Sequence, residues 1–350
     1  MEVFNVDKIV FDKKHKDFEM IYKTFNWNVL SNLSIQQTWW KNGKNSKYSI
    51  NSYSFALDKI ENKDITKKDV NKISELFVNL FSLSNKDLFC KKLIEVCSGS
   101  GDEFRKITTI HSSSLCALLF FYNITKEHPI KLIINDKIVT FGEVYFEFQN
   151  NCIDGRRPSN IDVVLISVDG ETLLFLESKF SEYITSCSKT VEISDAYQNP
   201  KLCQIGEKIY NSENVKKLFG ENSTIIENDK NSFKIKSTEN IYIEGLKQMV
   251  SHYIGAVRFS KKEYKDERSK QFNPKNIYLG TILFDNFCTT ERLENYENLY
   301  SNFSNAINEL FENSNVSLLA KPLKYSEYVS ANSDKIDTKV REFYFGNNNN

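Results

Sequence analysis

The sequence has no net charge and no long apolar run. Its 46 lysine and arginine residues equal its 46 aspartate and glutamate residues, so a surface that binds phosphates has to be a local patch. No apolar stretch approaches the roughly 20 residues of a membrane-spanning helix. Residues 1–7 lack a basic start followed by an apolar core, so we expect neither a signal peptide nor a membrane partner.

Patterns for disulfides and zinc sites are also missing. The seven cysteines are scattered and odd in number, and no two have C-x-x-C spacing. This favours reduced thiols in a cytoplasmic protein over disulfides or bound zinc. With only four histidines, a metal site built from histidines is not expected.

The chain is long enough for one elaborated domain or two smaller ones. No Pro- or Gly-rich linker and no internal repeat divides its 350 residues. We predict four regions, which are a mixed N-terminal region over 1–88, a core over 89–290, a helical C-terminal region over 291–346 and a disordered tail over 347–350.

Hydrophobic periodicity predicts an alternation of helices and strands around a central hairpin. Outside the hairpin, the predicted elements are a helix over 102–123, strands over 130–134 and 138–148, a helix over 241–259 and a strand over 277–284. Residues 199–240 are polar, and we predict irregular structure there with short helical pieces. The charged segment 261–270 is predicted as a solvated loop, with contact to a nucleic-acid backbone as the alternative.

The central hairpin consists of two apolar runs, 159–167 and 172–180, with Asp169-Gly170 between them. Asp-Gly between such runs predicts a two-residue type I′ turn, which requires positive φ at both positions. Both faces of the hairpin are apolar, and a sheet of this kind needs cover on both faces. The predicted fold is therefore α/β, a central mixed sheet flanked by helices on both faces, with helical additions at both ends.

The register that this turn sets places two acidic residues face to face. Counting outward from the turn, Asp162 falls opposite Glu177, and Lys179 lies on the same side as Glu177 because side chains alternate along a strand. Like charges at opposed positions destabilise a sheet, so the pair indicates a divalent cation between them. The alternative is two exposed acids that nearby lysines neutralise, with Lys179 discouraging edge pairing.

These residues carry a resemblance to a known superfamily. Pro158-Ser159-Asn160-Ile161-Asp162, then fourteen residues, then Glu177-Ser178-Lys179 resembles the PD-(D/E)xK signature of restriction-endonuclease-like nucleases. The order helix, three strands, helix, strand over roughly 102–284 is similar to the core of that superfamily. One departure is that the proline lies four residues before Asp162 instead of directly before it.

The chemistry and the resemblance together imply a site for Mg²⁺ or Mn²⁺. Asp162 and Glu177 are the expected metal ligands, with the carbonyl of Ser178 as a third, since Mg²⁺ prefers oxygen ligands and binds through one or two carboxylates. Lys179 is expected to orient or deprotonate the attacking water, or to stabilise the transition state.

Further candidates lie around this site. Glu147, on the preceding strand, is a candidate metal ligand, and exposure to solvent is the alternative. Gln248 and His252 share one side of the second helix, and the resemblance implies that Gln248 faces the site, although an ordinary helix surface is the alternative. Arg156 and Arg157 suit phosphate contact from a loop, unless that loop is merely solvated.

We interpret the chain as a metal-dependent endonuclease that hydrolyses DNA. The resemblance alone suggests a role in restriction or defence against foreign DNA. Many nucleases dimerise to cut both strands, so a homodimer is compatible with this interpretation. The alternatives are an RNA nuclease that uses the same site, a nucleic-acid-binding module without turnover, and a structural interaction protein.

Overall fold

A computed structural model of the chain describes most of the residues. The described ranges are 24–30, 35–41, 49–55, 67–98, 107–109, 112–185, 189–227, 232–237, 243–263, 266–286, 290–312 and 314–346. The chain divides into two compact units, one of residues 124–331 and the other of residues 1–123 with 332–350.

The bounds of the regular elements are as follows. The strands are β1 (Ile35–Lys41), β2 (Ser49–Phe55), β3 (Ile130–Ile134), β4 (Lys137–Asn150), β5 (Ser159–Ser167), β6 (Thr172–Lys179), β7 (Thr190–Ser194), β8 (Thr224–Glu227), β9 (Ser232–Lys236), β10 (Asn276–Leu283), β11 (Val316–Leu318) and β12 (Leu323–Lys324). The α-helices are α1 (Lys67–Phe81), α2 (Lys86–Cys97), α3 (Ser113–Phe121), α4 (Glu182–Thr185), α5 (Gly206–Ile209), α6 (Ser212–Phe219), α7 (Ile243–Ser260), α8 (Thr290–Leu310), α9 (Tyr325–Ala331) and α10 (Thr338–Phe345).

The unit of residues 1–123 and 332–350 contains the antiparallel pair β1–β2 and a helical core. Aromatic rings fill that core, and Phe25 stacks on Phe343 with 4.8 Å between ring centroids. The Asp337 carboxylate, directly before α10, accepts the Ser84 N–H at 3.0 Å and the Tyr122 hydroxyl. These bonds connect segments far apart in sequence.

The unit of residues 124–331 is built on a mixed sheet in the order β11-β10-β6-β5-β4-β3, and β12 also pairs with β10. Strands β3 to β6 are antiparallel neighbours, whereas β10 runs parallel to β6 and β11. A second sheet has the order β7-β9-β8. The prediction of an α/β fold with a central mixed sheet is therefore confirmed.

Helices cover both faces of β6, which is buried at every position. On one face, Phe259 of α7 lies 5.6 Å from Phe175 between ring centroids. On the other face, the Tyr325 hydroxyl of α9 lies 3.0 Å from the Ser178 hydroxyl. Burial on both faces explains why β6 reads as an almost continuous apolar run.

The hairpin β5–β6 has the predicted register but not the predicted turn. Ile166 pairs with Leu173, as the count from the turn requires. Gly170 has a φ of 75°, whereas Asp169 does not have positive φ, so the type I′ assignment is wrong. The Asp169 carboxylate instead accepts the Ser167 hydroxyl at 2.5 Å and the Glu171 N–H at 3.0 Å, which holds a four-residue loop over 168–171.

The predicted helix over 102–123 is shorter in the structure. It begins at Ser113, because Ser112 has extended backbone and its hydroxyl accepts the Leu115 N–H at 3.1 Å, as a helix N-cap does. Ile107 and Thr108 form a turn. Residues 102–106 and 110–111 lie outside the described residues.

The polar segment 199–240 contains regular structure that the sequence did not predict. β8 and β9 pair with each other, and β9 also pairs with β7. Phe233 and Ile235 are buried while the residues between and beside them are polar. This alternation of apolar and polar residues spans too few positions to be recognised as a strand in a segment that is polar overall. The tail 347–350 lies outside the described residues, and among the described helices none has the length and apolarity to cross a membrane.

Candidate active site

The ends of β5 and β6 bring Asp162 and Glu177 to matching positions. Val163 pairs with Leu176, so the next position along each strand places Asp162 opposite Glu177. Asp162 is half-buried, and its Oδ2 accepts the Ser178 N–H at 2.7 Å. The next carbonyl of β6, that of Lys179, accepts the Phe284 N–H on the β10 side, and since successive carbonyls of a strand point to opposite sides, the Ser178 carbonyl lies on the Asp162 side of β6.

Glu147 on β4 extends this alignment to a third strand. The residues on either side of Glu147 pair with the residues on either side of Asp162, so the two acids occupy opposed positions. Glu147 is 6% exposed, and its Oε2 accepts the Asn160 side-chain N–H at 2.9 Å. The alternative of a solvent-facing Glu147 is therefore wrong, whereas its role as a metal ligand stays a prediction.

Lys179 is buried in a network with Glu177 and the helix α7. Its Nζ donates to Glu177 Oε1 at 2.7 Å and to Gln248 Oε1 at 2.8 Å. Both side chains of the ion pair are 5% exposed. Gln248 thus faces the site and shares the Lys179 ammonium group with Glu177.

His252 completes the contacts of the Glu177 carboxylate. Its Nε2 lies 2.8 Å from Glu177 Oε2, and since an ionised carboxylate only accepts, Nε2 carries the proton and donates. Gln248 and His252 stand one helical turn apart, so both reach the same strand. The i, i+4 spacing is the sequence signal that relates His252 to Gln248.

Glu177 is ionised in this environment. Burial alone would raise the pKa of its carboxyl group, but the charges and hydrogen bonds of Lys179 and His252 outweigh burial and lower that pKa to about 2. A buried carboxylate that stays anionic is a hard oxygen donor at every physiological pH.

The donor set fits Mg²⁺ or Mn²⁺ better than a softer metal. Within the described part of the chain, no group of three or more His, Cys, Asp or Glu side chains is arranged to hold a metal ion. Mg²⁺ does not need such a cage, because it binds through one or two carboxylates and retains several waters. Asp162, Glu177 and the Ser178 carbonyl provide oxygens of this kind.

The structure places Arg156 and Arg157 at the surface. Both are exposed on the loop between β4 and β5, and the Arg156 N–H donates to the Ile153 carbonyl at 3.3 Å. The loop leads directly into β5, the strand that carries Asp162. A role of these arginines in phosphate contact stays a prediction.

In the segment 261–270, of which residues 264–265 lie outside the described residues, Asp266 and Arg268 differ from the expected solvated loop. Asp266 and Arg268 form a bidentate pair, with Arg268 Nε 2.9 Å from Asp266 Oδ1 and Nη2 2.6 Å from Oδ2. The pair also contacts the backbone of β4. Sequence reasoning missed it because its partners lie more than 100 positions away.

Comparison with known proteins identifies the family. The model of a family described as "Restriction Endonuclease associating with ARP" matches residues 58–272, more than half of the chain. No curated protein and no solved structure matches. The match contains the acidic row of Glu147, Asp162 and Glu177 together with Lys179, and it confirms the resemblance to restriction endonucleases. The chain therefore belongs to the family of restriction endonucleases associating with ARP.

Proposed function

We propose that the protein is a divalent-metal-dependent endonuclease that hydrolyses phosphodiester bonds of DNA. The observation that carries this proposal is the ionised Glu177, which holds Lys179 at 2.7 Å and lies opposite Asp162 at the end of a hairpin. Membership in a restriction-endonuclease family supports DNA as the substrate.

Mg²⁺ or Mn²⁺ would be held by Asp162, Glu177 and the Ser178 carbonyl. The bound ion would neutralise phosphate charge and lower the pKa of a coordinated water. The Ser178 N–H fixes Asp162 Oδ2 at 2.7 Å, so this carboxylate keeps its orientation before metal or substrate arrives.

Lys179 acts as a cation and hydrogen-bond donor. Direct pairing with a carboxylate favours the protonated amine, so Lys179 is suited to orient water or to stabilise charge on the phosphoryl oxygens rather than to take up a proton. Gln248 accepts one of its N–H groups at 2.8 Å and fixes the direction of the others.

His252 is a positioning residue for Glu177. Its donation to Oε2 leaves Oε1 for Lys179, so the two donors fix the carboxylate plane. Arg156 and Arg157, on the exposed loop before β5, would contact phosphates of bound DNA.

Cleavage of supercoiled plasmid with Mg²⁺ tests the proposal. We expect Asp162→Asn and Lys179→Ala to abolish cleavage that the wild type shows. Matched controls are Asp136→Asn, at the exposed β3–β4 turn where φ is 65°, and Lys275→Ala, in an exposed ion pair with Glu171. Equal cleavage by wild type and both site variants would refute the assignment.

Two further experiments distinguish this proposal from an RNA nuclease and from a binding module without turnover. RNA and DNA tested side by side distinguish a DNA nuclease from an RNA nuclease that uses the same residues. A salt-sensitive gel shift without cleavage under any divalent ion would indicate a nucleic-acid-binding module without turnover.

The proposal also covers the biological role, the oligomeric state and the location of the protein. A role in restriction or defence is supported by the family, and phage plating on host cells that express the wild type or Asp162→Asn would test it. Cutting of both strands by a homodimer predicts a two-chain species in sedimentation with DNA. The scattered cysteines support a cytoplasmic location.

A further inference from the structure

Arg258, near the end of α7, holds three segments of the chain together. Its Nη2 donates to Asp154 Oδ1 at 2.5 Å, and its Nε donates to Glu263 Oε2 at 2.6 Å. Its Nη1 donates to the Leu202 carbonyl at 3.4 Å, and the Asp154 N–H donates to the same carbonyl at 3.1 Å. The loop between β4 and β5, the segment around Leu202 and the residues after α7 are therefore fixed against one another.

A cavity of about 70 Å³ lies between these segments. Lys201 and Lys261 line it together with Arg258, Asp154 and Glu263. Arg258 pairs with both acids, whereas neither lysine forms an ion pair with an acid in the part of the chain that the structure describes. Both lysines are exposed, so their charges are available to an anion from solvent.

Further cations lie on the same segments. Arg156 and Arg157 follow Asp154 by two and three positions, and both are exposed. Lys262 is exposed and has a φ of 65°, at the position after a helix where glycine is usual. We define the basic surface as the following residues: Arg156, Arg157, Lys201, Lys261 and Lys262. Because cations and acids are equal in number over the whole chain, this surface is a local excess of positive charge.

The basic surface is connected to the candidate active site through α7 and β5. His252, which contacts Glu177, precedes Arg258 by six residues, or about 9 Å along the helix axis. The loop between β4 and β5 leads directly into β5, the strand that carries Asp162. Successive nucleotides of a DNA strand advance about 3.4 Å along the duplex, so an offset of about 9 Å corresponds to roughly three nucleotides.

We propose that the basic surface binds phosphates of the DNA backbone a few nucleotides from the cleaved bond, and that Arg258 is the positioning residue that keeps its three segments together. Arg258 is bonded to two carboxylates and a carbonyl, which suits it to hold the surface rather than to contact DNA. This inference rests on the proposed function and extends phosphate contact from one loop to two further segments. The alternative is that Lys261 and Lys262 only stabilise the C-terminal end of the α7 dipole.

The salt dependence of DNA binding tests the basic surface. Binding of the full chain to a fluorescently labelled duplex is measured by anisotropy in EDTA, so that no strand is cleaved, over a series of NaCl concentrations. Each phosphate contact contributes about 0.9 to the slope of log affinity against log salt. Lys201→Gln combined with Lys261→Gln should therefore reduce this slope by about 2. An unchanged slope, with or without a loss of stability, would overturn the inference.

A matched pair of lysines controls for net charge. Lys137 begins β4 and is exposed at the opposite end of that strand from the loop that carries Arg156. Lys275 donates its N–H to the Glu171 carbonyl at 2.9 Å, beside the turn of the β5–β6 hairpin. Lys137→Gln combined with Lys275→Gln removes the same charge and should leave the salt slope at the wild-type value. An equal reduction of the slope by both pairs would refute a role specific to the basic surface.

The role of Arg258 is tested without a loss of positive charge. Arg258→Lys cannot bond all three segments, and its affinity for the duplex should fall by about tenfold at 0.1 M salt, as for one lost phosphate contact. Asp154→Ala removes a negative charge, which by itself would strengthen DNA binding, yet we expect weaker binding because the loop loses its bond to Arg258. Arg341→Lys, on α10, should bind as the wild type does.

Asp154→Ala, at an exposed position, decides the role of Arg258 if Arg258→Lys does not fold. Tighter binding of Asp154→Ala, or wild-type affinity of a folded Arg258→Lys, would refute the positioning role.

Cleavage of plasmid with Mg²⁺ separates this inference from the proposed function. If the wild type cleaves DNA while the Lys201 and Lys261 substitutions leave the salt slope unchanged, the proposed function survives and the basic surface is refuted. If the substitutions reduce the slope but the wild type cleaves nothing, the surface stands and the nuclease activity is refuted. Absence of DNA binding by the wild type would overturn both.

Discussion

Replacement of Lys179 by methionine tests whether the buried ion pair stabilises the fold as the structure indicates. The pKa of Glu177 is lowered from 4.5 to about 2, and one pKa unit corresponds to about 1.4 kcal/mol. Burial opposes this lowering, which Lys179 and His252 together produce, so Lys179→Met leaves a buried carboxylate without its ammonium partner and should reduce the free energy of unfolding at pH 7 by about 3–5 kcal/mol, the loss seen when one partner of a buried pair is removed.

The dependence on pH gives the sharper test. A carboxyl group whose pKa is lower in the folded protein stabilises the fold above its unfolded pKa, and this stabilisation disappears as pH falls through the folded value. For Glu177 this stabilisation is lost as pH falls from about 4.5 to about 2. The difference between wild type and Lys179→Met should therefore narrow as pH falls through this range.

Urea unfolding at several pH values between 7 and the acid limit measures this difference. Lys275→Met is the matched control, because Lys275 pairs with Glu171 in solvent, and it should leave the unfolding free energy nearly unchanged. An equal effect of the two substitutions, or a difference that does not change with pH, would refute the reasoning about Glu177.

Three further predictions concern the site and the hairpin. His252→Asn should lower the rate of DNA cleavage by about 10–100-fold, because His252 positions the Glu177 carboxylate. His128→Asn, at an exposed position, should leave the rate unchanged, and equal rates of the two variants would contradict the role of His252. Gly170→Ala, at a φ of 75° with no atom near the added methyl, should lower the unfolding free energy by about 1 kcal/mol while cleavage stays unchanged. Replacement of Arg156 and Arg157 by alanine should weaken DNA binding and reduce its salt slope by about 2, and an unchanged slope would exclude them from phosphate contact.

The hairpin register could be predicted because its information is local. Only a short segment around Asp169-Gly170 separates the two apolar runs, and a short hairpin loop fixes the register of the strands that it joins. The prediction of a two-residue type I′ turn was wrong because the Asp169 carboxylate accepts hydrogen bonds from the Ser167 hydroxyl and the Glu171 N–H, which stabilise a longer loop. The same pairing therefore forms without the turn that predicted it.

The supporting contacts could not be predicted because they join distant positions. His252 meets Glu177 across 75 positions, and only its spacing from Gln248 relates it to the site. The Glu147 carbonyl accepts a hydrogen bond from Arg268, 121 positions away, in a segment whose mixed charges are typical of a solvated loop. Local patterns predict strands and helices, whereas such contacts depend on how α7 and the following turn pack on the sheet.

Anomalous diffraction from crystals soaked in Mn²⁺ would locate the divalent cation in the protein. We expect a peak within coordination distance of both Asp162 and Glu177, and no such peak in Asp162→Asn. A peak elsewhere in the wild type, or none under conditions in which the protein cleaves DNA, would contradict the assignment of these two acids to a metal site.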